Sequence, residues 1–170
     1  MELFRGGSLV VATVATGLLA GLFFSWSISV MPGLANTSDR TYVEALQSMN
    51  RAILNGWFAL ASLAALLLTI LALVLHLRAD GHKALPWIIV GLVLYVATWI
   101  ITMAINVPMN NALEAAGNGD VNQITDFAAV REQFKNWLPW NHVRTLLNTG
   151  ALAALSWALV QYGRVSSTVS

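Results

Sequence analysis

The side chains best suited to binding a small polar group lie at one end of four apolar segments. Asn141, Arg144 and Asn148 are spaced i, i+3, i+7, which places them on one face of a helix. The matching ends of the other segments carry further hydroxyl, amide and guanidinium groups, on Ser25, Ser29, Asn50, Arg51, Asn55, Thr102, Asn106 and Asn110. Polar groups at membrane depth are costly unless they pair or line a cavity. We therefore predict a pocket with a polar floor, whose ligand-binding residues include Arg51, Asn55, Asn106, Asn110, Asn141 and Asn148.

Tryptophans at a similar depth are predicted to form the walls of this pocket: Trp26, Trp57, Trp99, Trp137 and Trp140. Each candidate also has a simpler interpretation. Tryptophans form belts at membrane interfaces, and arginines extend to lipid headgroups. An asparagine at the start of a helix is commonly its cap, and a histidine beside it is often simply exposed at the interface. The convergence of all these groups on one end favours the pocket.

The segments that must position these residues are 8–30, 53–77, 85–107 and 143–163, and none contains Asp, Glu, Lys or Arg except at its ends. A helix rises ~1.5 Å per residue, so ~20 residues cross a hydrocarbon layer of ~30 Å. The sequence therefore predicts an all-α, polytopic membrane four-helix bundle that forms a single domain over residues 1–170.

The helix ends follow from proline positions and capping residues. We expect Pro32 to end helix one and Pro108 to end helix three. Helix two is predicted to run without interruption over 41–77, with 53–77 in the membrane, and Asn141 is predicted to cap helix four. Apolar residues recurring every three or four positions over 121–137, with Asp120 as the cap, predict an amphipathic interfacial helix between helices three and four.

Composition excludes several functional classes. The chain is 57% hydrophobic and 10% charged, with a net charge of +1 and no basic stripe, so no nucleic-acid partner is expected. Cysteine is absent, and the three histidines, His76, His82 and His142, have no paired metal-ligand spacing. No glycine-rich nucleotide loop occurs. We therefore expect neither a metal nor an organic cofactor. The middle of each segment lacks ionisable groups that could relay charge, so ion or proton transport is disfavoured.

Orientation is predicted from the distribution of basic residues. Side A comprises the N-terminus, the loop 78–84 and the C-terminus, with Arg5, Arg78, Lys83 and Arg164. Side B comprises 31–52 and 108–142, with Arg40, Arg51, Arg131 and Lys135, followed by Arg144. Side A carries its basic residues in much shorter segments, which is the pattern of a cytoplasmic face. We expect an integral protein of the plasma membrane with both termini in the cytoplasm.

Four sequence elements resemble the anthrone oxygenase family of small four-helix membrane proteins. They are Met31-Pro-Gly-Leu34, Met49-Asn-Arg-Ala-Ile-Leu-Asn55, Asn106-Val-Pro-Met-Asn-Asn-Ala-Leu113 and Trp137-x-x-Trp140-Asn141-x-x-Arg144. The similarity covers nearly the whole chain. It implies a four-helix membrane fold and, by analogy with some fungal members, oxidation of anthrones to anthraquinones without a bound metal or flavin.

The resemblance supplies no catalytic residues. For an enzyme of this kind, our own hypothesis is that His142 and Arg144 are the catalytic residues, with His142 as the base. Arg144, Asn106 and Asn141 would stabilise an enolate, and Trp137 and Trp140 would stack on a flat substrate. The expected partners are membrane lipid and an apolar aromatic small molecule, and an oligomer is compatible with the sequence. Two other hypotheses stay open. The same pocket could hold a lipid, quinone or apolar metabolite without turnover, or the protein could be a structural membrane subunit.

Overall fold

The computed structural model describes residues 2–77 and 83–166, with side chains up to residue 164. The predicted loop residues Arg78 and His82 lie outside the described residues. The described chain is helical and contains no strand, which confirms the predicted all-α class. It has four helices long and apolar enough to cross a membrane, Glu2–Ala35, Gly56–Leu77, Leu85–Gly119 and Phe127–Arg164. The protein is therefore a membrane protein with four candidate spans.

The α-helices of the described chain are α1 (Glu2–Ser25), α2 (Met31–Ala35), α3 (Asp39–Ile53), α4 (Gly56–Leu77), α5 (Leu85–Ile101), α6 (Val107–Ala115), α7 (Phe127–Phe134) and α8 (Trp137–Ser166). Of these, α3 lies outside the four candidate spans. In the bundle, α1 packs against α4 and α8, and α5 packs against α8 and α4. Small residues allow close approach of the backbones, as in other membrane bundles. A Cβ added at Gly91 on α5 would lie 2.9 Å from the Leu155 side chain on α8.

Pro32 and Pro108 do not end their helices, contrary to the prediction. A five-residue π-helical turn precedes each of them, Trp26–Val30 before α2 and Thr102–Asn106 before α6. Proline lacks an N–H group, and its ring clashes with the carbonyl four residues earlier. The wider π turn accommodates this defect, because Met31 and Val107 donate instead to the carbonyls of Trp26 and Thr102, five residues back. The two helices therefore continue to Ala35 and Ala115.

Helix two is interrupted, so the predicted continuous helix over 41–77 is wrong. The first part, α3, begins at Asp39 with Ser38 as its cap, and the second part, α4, begins at Gly56. Asn55 makes the break, because its Oδ1 accepts from the backbone N–H groups of Trp57 and Phe58, each at 3.0 Å. An asparagine that satisfies free N–H groups in this way starts a new helix.

The start of helix four also differs from the prediction. The helix α8 begins at Trp137, and Pro139 is tolerated because N–H groups in a first turn need no helical partner. Asn141 is thus an internal residue of α8 and not its cap. The predicted interfacial helix over 121–137 is confined to α7, capped by Asp126, which accepts from the N–H of Ala129 at 2.9 Å. Asp120 accepts from the N–H of Asn122 and begins only a short 3₁₀ turn.

The helices α3, α6 and α7 form a layer over the side-B end of the bundle, which we call the cap layer. Its apolar core contains Met31, Tyr42, Val43, Leu46, Leu113, Ile124, Phe134 and Trp137. Arg131 links α7 to α3 and α2. Its guanidinium donates to the carboxylate of Asp39 on α3 at 2.8 Å and to the carbonyl of Ala35 on α2 at 2.7 Å. Its Cζ also lies 4.6 Å from the ring centre of Tyr42.

Candidate functional site

A cavity of about 110 Å³ lies between the bundle and the cap layer. Its walls are mostly apolar and aromatic, and the polar groups on them are those of Asn50, Thr102, Asn110 and Arg144. The aromatic side chains that line it are Phe23, Trp26, Phe58, Phe134 and Trp137. An apolar cleft with a few convergent polar groups is the usual form of a small-molecule site.

Arg144 is the charged group of this cavity, and only 4% of its surface is exposed. Its guanidinium donates to Oδ1 of Asn141 at 2.8 Å and to Oγ1 of Thr102 at 3.4 Å. The Cζ atom lies 4.6 Å from the ring centre of Phe23 and 5.2 Å from that of Trp137. In residues 2–77 and 83–164 no carboxylate forms a salt bridge with Arg144. A buried cation paired only with neutral dipoles is strongly attractive to an anion.

Asn141 holds this guanidinium in position. Its Nδ2 donates to the carbonyl of Phe23 and to Oγ of Ser27, both at 2.9 Å and both on the first span. Ser27 in turn lies 3.1 Å from Oγ1 of Thr145. The amide is therefore oriented by two acceptors, which leaves its oxygen free to receive the Arg144 donor.

Asn106 and Asn148 are fully buried on the facing helices, and neither side-chain amide has a hydrogen-bond partner in the described part of the chain. The Nε of Arg144 is also without a partner there. Unsatisfied buried polar atoms are rare in folded proteins and are frequently associated with function. Neither amide lines the cavity. Asn106 lies four residues after Thr102, and Asn148 lies four residues after Arg144, so each is about one turn from a polar group that does line it.

The aromatic wall is ordered by contacts between its own rings. Trp137 lies 5.3 Å from Trp26 and stacks on Phe134 at 5.7 Å, measured between ring centres. Its indole N–H donates to Oδ1 of Asn110 at 2.8 Å, which fixes the plane of the ring. A flat aromatic ligand is complementary to such a wall, since stacked and tilted aromatic pairs are favourable.

The chain matches the family model for anthrone oxygenase over residues 49–154. The protein belongs to the anthrone oxygenase family. No protein of curated function and no solved structure was found to be similar. The matched region of this anthrone oxygenase family member includes Asn106, Asn110, Asn141, Arg144 and Asn148. The family membership that the sequence elements indicated is therefore confirmed.

The structure of this family member brings together only part of the predicted site. Asn110, Trp137 and Arg144 line the cavity, and Asn141 contacts Arg144 directly. His142 is exposed and does not line the cavity, and neither does Trp140, which is 37% exposed. His142 and Arg144 point to nearly opposite sides of α8, because successive residues are about 100° apart on a helix. Trp140 lies one turn before Arg144 on a similar face, but in the first turn of α8 and outside the cavity lining.

Two further predicted residues have other roles in this structure. Arg51 is exposed on the cap layer, where its Nε donates to the carboxylate of Glu114 at 2.5 Å. Asn55 caps α4 and lines a neighbouring groove between α4 and α5 instead of the cavity.

Several residues of this site were not predicted. Ser25 and Ser29 are exposed, and Ser27 provides the buried hydroxyl of helix one. Phe23, Phe58 and Phe134 complete the aromatic wall. Phe23 and Ser27 are four residues apart, and this spacing was the sequence signal that could have placed both on the face of helix one that meets the site. The prediction instead selected Ser25 and Ser29, which lie on a different face of the same helix.

Proposed function

We propose that the cavity binds a flat, apolar phenolic ketone of the anthrone type and promotes its oxidation by O₂ to the corresponding quinone. The observation that carries this proposal is the buried Arg144 guanidinium, which faces an aromatic-walled cavity with no carboxylate partner in the described residues. Family membership supports the same substrate class.

The chemistry follows from the acidity of an anthrone. Loss of a proton from its central CH₂ group moves negative charge onto the ketone oxygen, and a preorganised cation in a dry site stabilises such an oxyanion. The carbanion carbon then forms a bond to O₂, and the peroxide anion so formed takes a proton from solvent to give a hydroperoxide on that carbon. Loss of water from the hydroperoxide leaves a second carbonyl. One CH₂ group and one O₂ thus give one C=O group and one H₂O.

In this scheme each group has a limited task. Arg144 holds the oxyanion, Asn141 and Thr102 hold Arg144, and Trp26 and Trp137 hold the ring system. The carbanion supplies the electrons for O₂, so the scheme uses no metal or organic cofactor. The described lining of the cavity contains no carboxylate or imidazole, so in this scheme the proton passes to solvent. The role of His142 as base stays a prediction, and its exposed position does not support it.

The test is oxygen consumption by the purified protein in lipid nanodiscs with 1,8-dihydroxyanthrone, corrected for spontaneous oxidation in empty nanodiscs. We expect Arg144→Ala to lower kcat/KM by about 100-fold, the usual effect of removing one oxyanion donor. Arg144→Lys should recover part of the rate, because lysine keeps the charge but lacks the planar donor array. Arg40→Ala is the matched control, since Arg40 is exposed and pairs with Glu44 at 2.7 Å. Equal rates for the wild type and Arg144→Ala would overturn the proposal.

A second candidate function is binding without turnover. It is favoured by the same described cavity lining, which offers no side chain that could accept a proton. The experiment above separates the two. A binding protein would protect 1,8-dihydroxyanthrone from oxidation, and native mass spectrometry of the gently extracted protein would reveal a chemically unchanged apolar ligand.

We further propose that both termini face the cytoplasm, so that the cap layer lies on the opposite side of the plasma membrane. Support comes from the short, basic side-A segments. Because the chain contains no cysteine, single-cysteine labelling gives a clean test. A membrane-impermeant maleimide should label Gln133→Cys but not Leu3→Cys in intact cells. The reverse pattern would show the opposite orientation.

A further inference from the structure

A groove of about 480 Å³ runs along the outside of the bundle between α4 and α5. Its lining is mostly apolar and consists of Leu54, Asn55, Gly56, Phe58, Ala59, Ser62, Leu63, Trp99, Thr102 and Met103. Of the neighbouring helix pairs in the described bundle, α4 and α5 pack against each other least extensively. The groove is therefore a gap in the wall of the bundle.

This groove adjoins the Arg144 cavity. Leu54, Phe58 and Thr102 line both spaces. Thr102 is also the residue whose hydroxyl receives the Arg144 donor at 3.4 Å. A molecule in the groove that moved past Phe58 would therefore arrive at the guanidinium.

In a bilayer that is crossed by the candidate span Gly56–Leu77, the opening of the groove lies at the depth of the lipid tails. Leu63 is seven residues into α4, roughly 10 Å along the helix from its start at Gly56, so the groove reaches well into the hydrocarbon layer. Its rim is apolar and accessible, since Leu63 is 47% exposed and Met103 is 51% exposed. The break between α3 and α4 leaves Leu54 at the side-B end of the rim, where it is 76% exposed.

We propose that this groove is the entrance through which an uncharged, lipid-dissolved aromatic substrate reaches Arg144 from within the bilayer. The inference rests on the proposed function of the cavity and deepens it by defining the substrate class. A neutral ketone crosses an apolar groove at little cost, whereas an ionised or sugar-bearing molecule would have to lose its hydration there. Once ionised beside Arg144, the substrate cannot return by the same route, so the entrance also favours retention of the reactive anion.

Binding kinetics distinguish an entrance from a binding site. An obstruction in an entrance slows association and dissociation by the same factor and leaves Kd unchanged, because it alters neither the free nor the bound state. The probe is 1,8-dihydroxyanthraquinone, a product-like ligand that cannot be turned over, mixed by stopped flow with the protein in nanodiscs and followed by its own fluorescence.

Ala59→Trp places a large side chain in the groove at a residue that does not line the cavity. We expect both rate constants to fall by about 10-fold or more, with Kd within a factor of about two, and Arg144→Ala to raise Kd without this paired slowing. The matched control is Leu60→Trp, which adds a tryptophan at the next position, 59% exposed and outside the groove. If Ala59→Trp does not fold, Met103→Trp obstructs the opposite wall.

Unchanged rate constants in both groove variants, with a Kd that still depends on Arg144, would overturn the entrance while the cavity proposal stands. A wild-type protein that does not bind the probe, or a Kd that is the same in Arg144→Ala, would overturn both. A groove variant that changes Kd as strongly as it changes the rate constants would identify the groove as a binding site. That result would overturn the proposal that the groove serves only as an entrance.

Discussion

The guanidinium of Arg144 donates a 2.8 Å hydrogen bond to the side-chain oxygen of Asn141, one turn earlier on the same helix. The Asn141 amide nitrogen simultaneously binds Phe23 and Ser27 on the first span. The position of the only described buried arginine is thus tied to the packing of α1 against α8. Because the partner is a neutral amide, the positive charge stays available to a ligand.

Asn141→Asp should abolish most of the activity while largely retaining the fold. An aspartate can still accept from Arg144, but it forms an ion pair that neutralises the charge needed for the oxyanion. It also loses the two donor contacts to Phe23 and Ser27, at about 1 kcal/mol each. We expect a loss of kcat/KM of about 100-fold, comparable to that of Arg144→Ala, measured by oxygen consumption and compared with the melting temperature.

The control for this prediction is Asn111→Asp, which introduces the same change at an exposed position of α6. Wild-type activity in Asn141→Asp would show that an uncompensated charge on Arg144 is not what the reaction uses.

Pro108→Ala should weaken ligand binding without destabilising the protein. Alanine restores the N–H group and the interior helix propensity that proline lacks, so a regular α-helix can replace the π turn Thr102–Asn106. Loss of the π turn rotates Thr102 relative to Asn110, and both residues line the cavity. We expect Kd for 1,8-dihydroxyanthraquinone to rise by about 5-fold or more, with an unchanged or higher melting temperature.

Pro86→Ala serves for comparison, since Pro86 occupies the first turn of α5, where proline causes no defect. If Kd in Pro108→Ala matches that in Pro86→Ala, the π turn does not shape the site.

Tyr42 should make stability depend on pH in the alkaline range. Burial raises the pKa of its phenol above the ordinary value of 10.0, an effect that the nearby Arg131 guanidinium opposes. The folded protein therefore holds this proton more tightly than the unfolded chain does. The resulting stabilisation is complete below about pH 10 and is lost as the pH rises through the folded pKa.

We expect Tyr42→Phe to show a shallower fall in melting temperature above about pH 10 than the wild type, because the substituted ring has no proton to lose. Thermal unfolding from about pH 8 upwards, recorded for both proteins in the same detergent, measures the difference. Parallel curves would show that Tyr42 does not contribute to the alkaline transition.

The fold class could be predicted from the sequence because the bilayer imposes it. Residues 53–77 and 85–107 are apolar over a length that only a membrane-spanning helix satisfies, and the structure places α4 and α5 there. The chemistry of the pocket was also visible in part. Arg144, Asn110 and Trp137 were predicted as site residues and line the cavity.

The predictions that failed depended on local signals that the surroundings of the helix override. Proline usually ends a helix, yet Pro32 and Pro108 lie within helices because a π turn precedes each one. Helix two, in contrast, breaks at Asn55, where no proline is present, because the asparagine side chain satisfies the next two N–H groups.

The sequence by itself determined that four apolar helices cross a membrane. It also determined that several asparagines, Arg51, Arg144 and five of the seven tryptophans lie near one end, since residue type and order along the chain set the depth of each group. Only the tertiary structure decided which of these groups meet. The direction in which a side chain points depends on helical phase, which each π turn shifts, and on the neighbouring helix that it then contacts. That is why Arg144 faces the cavity while His142, two residues earlier, is exposed.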